Sequence, residues 1–399
     1  MNIHNREMQL ASAMLTYQPA NLLNLPSSVE VTDPWGNGGA GIGSGSNALR
    51  TAMGEFYERQ HFYMDVVPDF IGSLDHSLGE FETSKFIQAF TQTKTPQITQ
   101  RSLISHQYNL SQVIRASDLS LCHIPTACIA LSTTRTETEN FIYPLRDTCG
   151  CAFGWHPEQA IFGSIKEFLE RQFLIRFWLT GTCIKIIDAP TVPSKLAGSH
   201  VETLGKALMM SGELSFIDIS DVAYPGICVL AVYGQSNTEQ NVRYCAGMAY
   251  AATLEQAMEK SLLELWQTFR FIDVFVATEQ TNESIHDSYL KYFLQCNHYQ
   301  TYREITSLHT QSQAPSSPPI EPLCLSSLLG CLTKHKALGY IYLKMVPIEN
   351  QFGFCSKFIS PDFFMHMNNA QNVNLENLYS RSFLHAIQPD RKKQMIPFP

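Results

Sequence analysis

The strongest constraint on this chain is a phrase it uses twice: Glu55-Phe56-Tyr57-Glu58-Arg59-Gln60 and Glu167-Phe168-Leu169-Glu170-Arg171-Gln172. A degraded third copy reads Glu264-Leu265-Trp266-Gln267. On a helix, Glu-x-x-Glu sets two carboxylates on one face, within a turn of each other. Two such helices converging on one place gather four acids, and that density of negative charge calls for a cation. On an arbitrary helix the same pattern is a solvated face of weak ion pairs. Here the second copy lies in a stretch, 161–179, that is apolar on most faces. Such a helix is buried, so its few charges face a partner or a ligand.

The repeat extends beyond the acids. An alanine stands seven residues before each leading glutamate, at Ala48, Ala160 and Ala257, and the later copies share Glu158-Gln159-Ala160 and Glu255-Gln256-Ala257. Seventeen residues before each leading glutamate is a Gly-x-Ala: Gly38-Gly39-Ala40, Gly150-Cys151-Ala152 and Gly247-Met248-Ala249. Strand-like runs at 140–143 and 242–245 precede the last two. The predicted unit is a strand, a glycine turn and a long acid-bearing helix, used three times.

With 399 residues, 44% hydrophobic and 16% charged, the chain suits one large α/β body or two domains. A net charge of -8 gives no electrostatic case for nucleic acid or an anionic membrane surface. No signal-peptide core opens the sequence, and Arg171 and Arg176 interrupt the longest apolar run, so the expected location is the cytoplasm. Eleven cysteines without a Cys-x-x-Cys pair read as reduced, mostly buried thiols with no zinc site. Cys149 and Cys151, in the second glycine turn, are expected near the ligand without serving as nucleophiles.

Residues 1–32 read as a lead-in with one short helix around Met8 to Leu15, and strands are expected at 128–131, 214–219, 227–233 and 339–346. The glycine-dense stretch 33–47 reads equally as a flexible loop or as a phosphate cradle built from backbone N–H groups and the Ser44 and Ser46 hydroxyls. It is not a Walker loop. Residues 276–335 form a polar excursion or linker with a Pro/Ser knot at 314–319. The ending Met395-Ile396-Pro397-Phe398-Pro399 predicts a stiff, placed tail.

Taken together, the doubled Ala-x6-Glu-x-x-Glu-Arg, the third copy ending in Glu-x-x-Gln, the glycine turns and the Pro-x-Pro terminus resemble the YcaO enzymes. The resemblance covers about 35–275 and the last five residues, making 33–275 the catalytic core and 336–399 its C-terminal part. It implies an α/β (α+β) fold of repeated units around one ATP/magnesium cleft. It also implies an ATP-dependent cyclodehydratase making thiazolines and oxazolines from Cys and Ser of a ribosomal precursor peptide, within a microcin-type antibiotic synthetase complex. By the same resemblance, Glu55 and Glu58, with Glu167 and Glu170, hold magnesium together with ATP. Arg171 pairs with phosphate, and Arg59 shares its local context. Ser46, Glu264 and Gln267 contact the nucleotide or line the same cavity, and Pro397 and Pro399 reach the active site to supply a base.

Three positions depart from the family pattern. Gln159 stands where many members carry an acid for ATP or its metal, Trp155 where a small polar residue is common, and Met395 where the tail's first proline falls. An E1-like partner that binds the leader peptide and a flavin-dependent dehydrogenase are implied as partners. A thioamide-forming relative and a non-catalytic scaffold are the alternatives, and the complete set of four glutamates with Arg171 argues against the scaffold.

Overall fold

The computed structural model describes residues 14–18, 25–34, 36–43, 46–279, 285, 287–308, 310–311, 321–348, 351–368 and 370–398. Strands β1 (Met14–Gln18), β2 (Ser27–Thr32) and β3 (Gly38–Gly43) lead into helix α1 (Ser46–Gln60), which ends in a π-helical turn, His61–Asp65. Next come β4 (Phe70–Gly72), α2 (Leu74–Thr93), α3 (Gln100–Ser105), β5 (Tyr108–Arg115), β6 (Leu121–Pro125), β7 (Cys151–Gly154) and α4 (Pro157–Thr180). The middle holds β8 (Thr182–Cys183), β9 (Lys185–Ile187), α5 (Thr191–Leu196), α6 (Glu202–Ser211), β10 (Glu213–Asp218), β11 (Ile227–Gly234), β12 (Tyr244–Ala251) and α7 (Leu254–Ala277). The last elements are α8 (Ser288–Gln295), α9 (Tyr299–Ser307), β13 (Thr310–Gln311), α10 (Leu325–Lys334), β14 (Tyr340–Ile348) and β15 (Gln351–Ile359). The mixed helix-and-sheet class expected from the sequence is what the chain adopts.

The chain divides into two compact units. The first comprises Met1–Met53, Arg176–Leu323 and Met395–Pro399. It holds an antiparallel β1-β2-β3 sheet and an antiparallel sheet ordered β12-β11-β10-β9. All eight residues of β12 are buried. Its small side chains admit α7, which Thr253 caps by accepting from the Gln256 N–H and which buries Ala257, Ser261, Leu265 and Thr268 in a stripe of three- and four-residue spacing. A Cβ on Gly247 would lie 2.1 Å from the Leu265 nitrogen, and one on Gly41 of β3 would lie 2.0 Å from the Ala48 carbonyl oxygen. Only glycine lets these strands lie against helix backbone so closely.

The second unit comprises Gly54–Ile175 and Cys324–Gln394. Its sheet is ordered β4-β5-β14-β15-β7, with β6 pairing β5, and every pair is antiparallel. Phe56, Phe62, Phe86, Phe90, Tyr108, Phe168, Phe173 and Tyr340 are fully buried in its core. The hairpin of β14 and β15 carries the centre of this sheet and sets Lys357 opposite Cys151 and Ser356 opposite Ala152.

Several local expectations change. The Gly-x-Ala words are not turns ahead of the helices: Gly38–Gly43 and 247–249 lie within β3 and β12, and Gly150 immediately precedes β7. The glycine-dense stretch is therefore a strand over 38–43, paired residue by residue with β2, and neither a free loop nor a cradle there; Ser44 lies outside the described residues. The runs at 140–143 and 128–131 are turns, the second buried throughout and the first burying only Ile142 and Tyr143. Ile142 and Tyr143 return their N–H groups to the Glu139 carbonyl, as Ile129 and Ala130 do to that of Thr126. Apolar content there reports burial, not sheet.

Met14 and Leu15 belong to β1, paired with Thr32 and Val31, which ends the expected Met8–Leu15 helix; residues 8–13 lie outside the described residues. Within 276–335, helices α8, α9 and α10 bury Phe293, Tyr302, Ile305, Leu328 and Leu332, so this stretch is more than a linker. Its knot at 314–319 lies outside the described residues. The strands expected at 214–219, 227–233 and 339–346 appear as β10, β11 and β14.

Candidate active site

Within the second unit, the residue after each leading glutamate anchors its helix. Phe56 and Phe168 are 0% and 2% exposed, which sets the neighbouring acids on other faces of their helices. Glu170 is buried, while Glu55, Glu58 and Glu167 are half-buried. Each pair is braced along its own helix: Arg59 Nη2 lies 3.3 Å from Glu55 Oε1, Arg171 Nε 3.0 Å from Glu167 Oε1, and Lys166 Nζ 3.6 Å from Glu170 Oε2.

In the second copy the seventeen-residue offset between glycine and glutamate has a physical cause. The Gly150 N–H donates to Glu167 Oε2. Gly150 has a φ of +75°, and a Cβ there would lie 2.5 Å from the Phe358 carbonyl oxygen and press on Phe168. A side chain at that position would push the donor away. The third copy, in the first unit, repeats the device one residue later: the Met248 N–H donates to Glu264 Oε2 at 3.3 Å.

These carboxylates share one electrostatic field. Burial pushes the Glu58 carboxyl up to about 7, opposed by Arg59 and Lys357 and reinforced by the charges of Glu55 and Glu167. Burial likewise pushes Glu167 up to about 7, with Arg171 and the Gly150 amide opposing and Glu170 and Asp147 reinforcing. Two acids so disfavoured as anions are stabilised by a cation placed between them. Among the described residues no three His, Cys, Asp or Glu side chains form a ready-made metal cage. Magnesium does not require one, because it commonly takes one or two carboxylates and completes its octahedron with phosphate oxygens and water. The hard oxygen donors and the repulsion between them fit a magnesium ion that arrives with a triphosphate.

Three participants escaped the sequence reading. Asp147 accepts from the Cys149 and Met367 N–H groups at 3.0 and 2.6 Å and adds its charge near Glu167. Lys357, buried on β15, donates from Nζ to the Asp147 carbonyl at 3.0 Å. Gln172, last in the repeated phrase, is fully buried and exchanges hydrogen bonds with the Phe364 backbone at 2.9 and 3.1 Å, so that position is structural. Asp147 and Lys357 have no local sequence signal; the doubled Gln is the signal for the third.

Cys149 and Cys151 do lie beside this cluster. Burial raises both thiols, with Asp147 adding to Cys149 and Lys357 opposing at Cys151, which makes them poor nucleophiles near neutral pH. All eleven cysteines are free.

Of the other expected residues, Gln159 is exposed on the first turn of α4, where its Oε1 accepts from the Trp155 N–H at 3.2 Å. Ser46, Glu264, Gln267 and Pro397 belong to the first unit. Ser46 is exposed at the start of α1; its neighbour Asn47 lines a cavity of about 580 Å³ with Ile42, Gly43, His200, Gln256 and Lys260. Glu264 is exposed and Gln267 half-buried on α7. The tail is placed: Tyr244 Oη donates to the Pro397 carbonyl, and Ile396 and Phe398 are buried. Pro399 lies outside the described residues.

A family model of the YcaO cyclodehydratases, described as ATP- and Mg2+-binding, matches residues 39–335. Over 407 residues the chain is 28% identical to the microcin B17-processing protein McbD of Escherichia coli, with 100% of each covered. A chain of the E. coli microcin synthetase McbBCD complex superposes with a TM-score of 0.88 at 28% identity over 96% of both chains, and so does the complex with pro-MccB17 bound. YcaO from Methanopyrus kandleri, solved with AMPPCP and Mg2+, shares the fold with a TM-score of 0.54 at 12% identity over 90% of this chain and 88% of that one. No helix among the described residues is long and apolar enough to cross a membrane. With two intact copies of the acidic repeat on its helices and a family model spanning most of its length, the chain belongs to the YcaO cyclodehydratases, the family that binds ATP and Mg2+.

Proposed function

We propose that this chain is the ATP-dependent cyclodehydratase subunit of a microcin-type synthetase, acting on Cys and Ser residues of a ribosomal precursor peptide. The observation that carries this reading is the meeting, in one unit, of carboxylates from two copies of one repeat, with Glu58 and Glu167 close enough to raise Glu58 further. In the assigned reaction a peptide thiol or hydroxyl bonds to the preceding backbone carbonyl carbon. The γ-phosphoryl group of ATP goes to the carbonyl oxygen, which leaves as phosphate as the ring C=N bond forms. The peptide loses one water per ring and ATP becomes ADP and phosphate.

Glu55, Glu58, Glu167 and Glu170 hold the magnesium in this scheme, and Arg171 turns its guanidinium to a phosphate. Bound magnesium neutralises the triphosphate and the charge that develops during transfer. Ser46, Gln159, Glu264 and Gln267 are assigned to the nucleotide. Gln159 offers a hydrogen bond without charge, leaving the metal to the glutamates. Pro397 and Pro399 are assigned to the tail that supplies a base for the proton lost from the nucleophile. The E. coli synthetase is a McbBCD complex and binds pro-MccB17, which supports a peptide substrate, an E1-like leader-binding partner and a flavin-dependent dehydrogenase here. We place the reaction in the cytoplasm, where ATP is supplied and thiols stay reduced.

The test is mass spectrometry of a Cys/Ser/Gly-rich precursor incubated with the chain, such partners, ATP and magnesium. A loss of about 18 Da per ring, dependent on ATP, is the expected result for a loss of water. An unchanged peptide mass in the assembled complex, or exchange of oxygen for sulfur, overturns the assignment.

A further inference from the structure

We propose that Lys357 receives a phosphate oxygen of the bound nucleotide, as a point-charge contact additional to Arg171. The inference rests on reading the four glutamates as a nucleotide and metal site. Lys357 is 5% exposed. Lysines are almost never buried so deeply unless an opposite charge accompanies them. Yet among the described residues no carboxylate comes within 4.0 Å of its Nζ. That atom donates to one carbonyl, of Asp147, at 3.0 Å, and stands 6.0 Å from the centre of the Phe62 ring.

Those two contacts locate the ammonium. Phe62 follows Glu58 by four residues, and Asp147 precedes by three the Gly150 whose N–H holds Glu167. The charge therefore enters from the sheet between the segments that carry the two acid pairs. The other cations there are engaged along their own helices, Arg59 with Glu55, Lys166 with Glu170 and Arg171 with Glu167. An ammonium has three donors, and one neutral carbonyl satisfies only part of its needs. A triphosphate carries more negative charge than one magnesium ion cancels, which is the partner a buried lysine beside metal-binding acids lacks.

The competing explanation is structural: the stem fills the core and the Asp147 carbonyl satisfies the head. Calorimetric titration of the full chain with magnesium and a non-hydrolysable ATP analogue separates the two. Lys357→Met, Lys357→Arg and Glu167→Gln are compared with the parent, alongside the thermal midpoint of each ligand-free protein. We expect Lys357→Met to fold and to bind the analogue at least tenfold more weakly, with Lys357→Arg recovering part of the loss. Unchanged affinity in Lys357→Met alongside lost affinity in Glu167→Gln overturns the lysine assignment alone. Unchanged affinity in both overturns the reading of the acid site as well. Should the methionine variant not fold, Lys357→Gln carries the same comparison with the same outcomes.

Discussion

Glu167→Gln should make the ligand-free protein more stable while removing its use for ATP. Burial takes the Glu167 carboxyl from its ordinary 4.5 to about 7, although Arg171 and the Gly150 amide favour the anion. The side chain is 22% exposed, so protein and not water sets most of that balance. The sign follows from proton counting. Between these two values the folded chain keeps the proton and the unfolded chain releases it, so stability falls as pH rises through the interval. At about 1.4 kcal/mol per pH unit the gap is on the order of 3 kcal/mol once pH exceeds about 7.

The amide of Gln keeps the size and the acceptor for the Gly150 N–H but never ionises. Urea unfolding of the ligand-free protein should find Glu167→Gln more stable by about 2–3 kcal/mol at pH 8 and within about 0.5 kcal/mol of the parent near pH 4.5. Saturating magnesium and ATP should then stabilise the parent and not the variant. Equal stability at pH 8, or a loss at every pH, would mean that the carboxylate serves its ion pair with Arg171 and does not await a cation.

Gly247→Ala sets a methyl where 2.1 Å separates it from the Leu265 nitrogen, so α7 must leave β12; we expect a loss of more than about 3 kcal/mol in chemical unfolding, as for severe overpacking. Cys324 should be the first thiol alkylated by iodoacetamide at pH 7. Hydrogen bonds with Ser326 and Ser327 bring its pKa to about 7, whereas burial raises those of Cys149 and Cys151; peptide mapping with Cys324→Ser as control checks the order. Deleting Pro397 to Pro399 should cut ring formation far more than nucleotide affinity, and the reverse pattern would make the tail structural.

The repeat was legible because its consequences are local. A buried helix has few places for charge, so Glu-x-x-Glu among apolar residues in 161–179 already points to a shared site, and α4 carries it as expected. The strand-to-helix order was less so. Gly-x-Ala looks like a turn in one dimension, but Gly247 is there because helix backbone lies within van der Waals reach of its strand, as it does at Gly41 just after the first word. The turn at 126–131, and Ile142 and Tyr143 of the turn at 139–143, mimic strands because burial demands the same side chains in either conformation. Lys357 and Asp147 could not be found this way. The ammonium meets the Asp147 carbonyl only because β15 lies beside β7, and that order is fixed by tertiary pairing, not by any pattern along the chain.

Manganese is an oxygen-seeking substitute for magnesium whose bound fraction is read by electron paramagnetic resonance. Titrating it into the parent, Glu58→Gln and Glu167→Gln, with and without a non-hydrolysable ATP analogue, asks whether both repeats hold one ion. The parent should bind the ion tightly only when the nucleotide is present, and each single variant should lose at least tenfold in affinity. Full nucleotide-dependent binding in either variant would show that the acids of the two repeats do not share a metal.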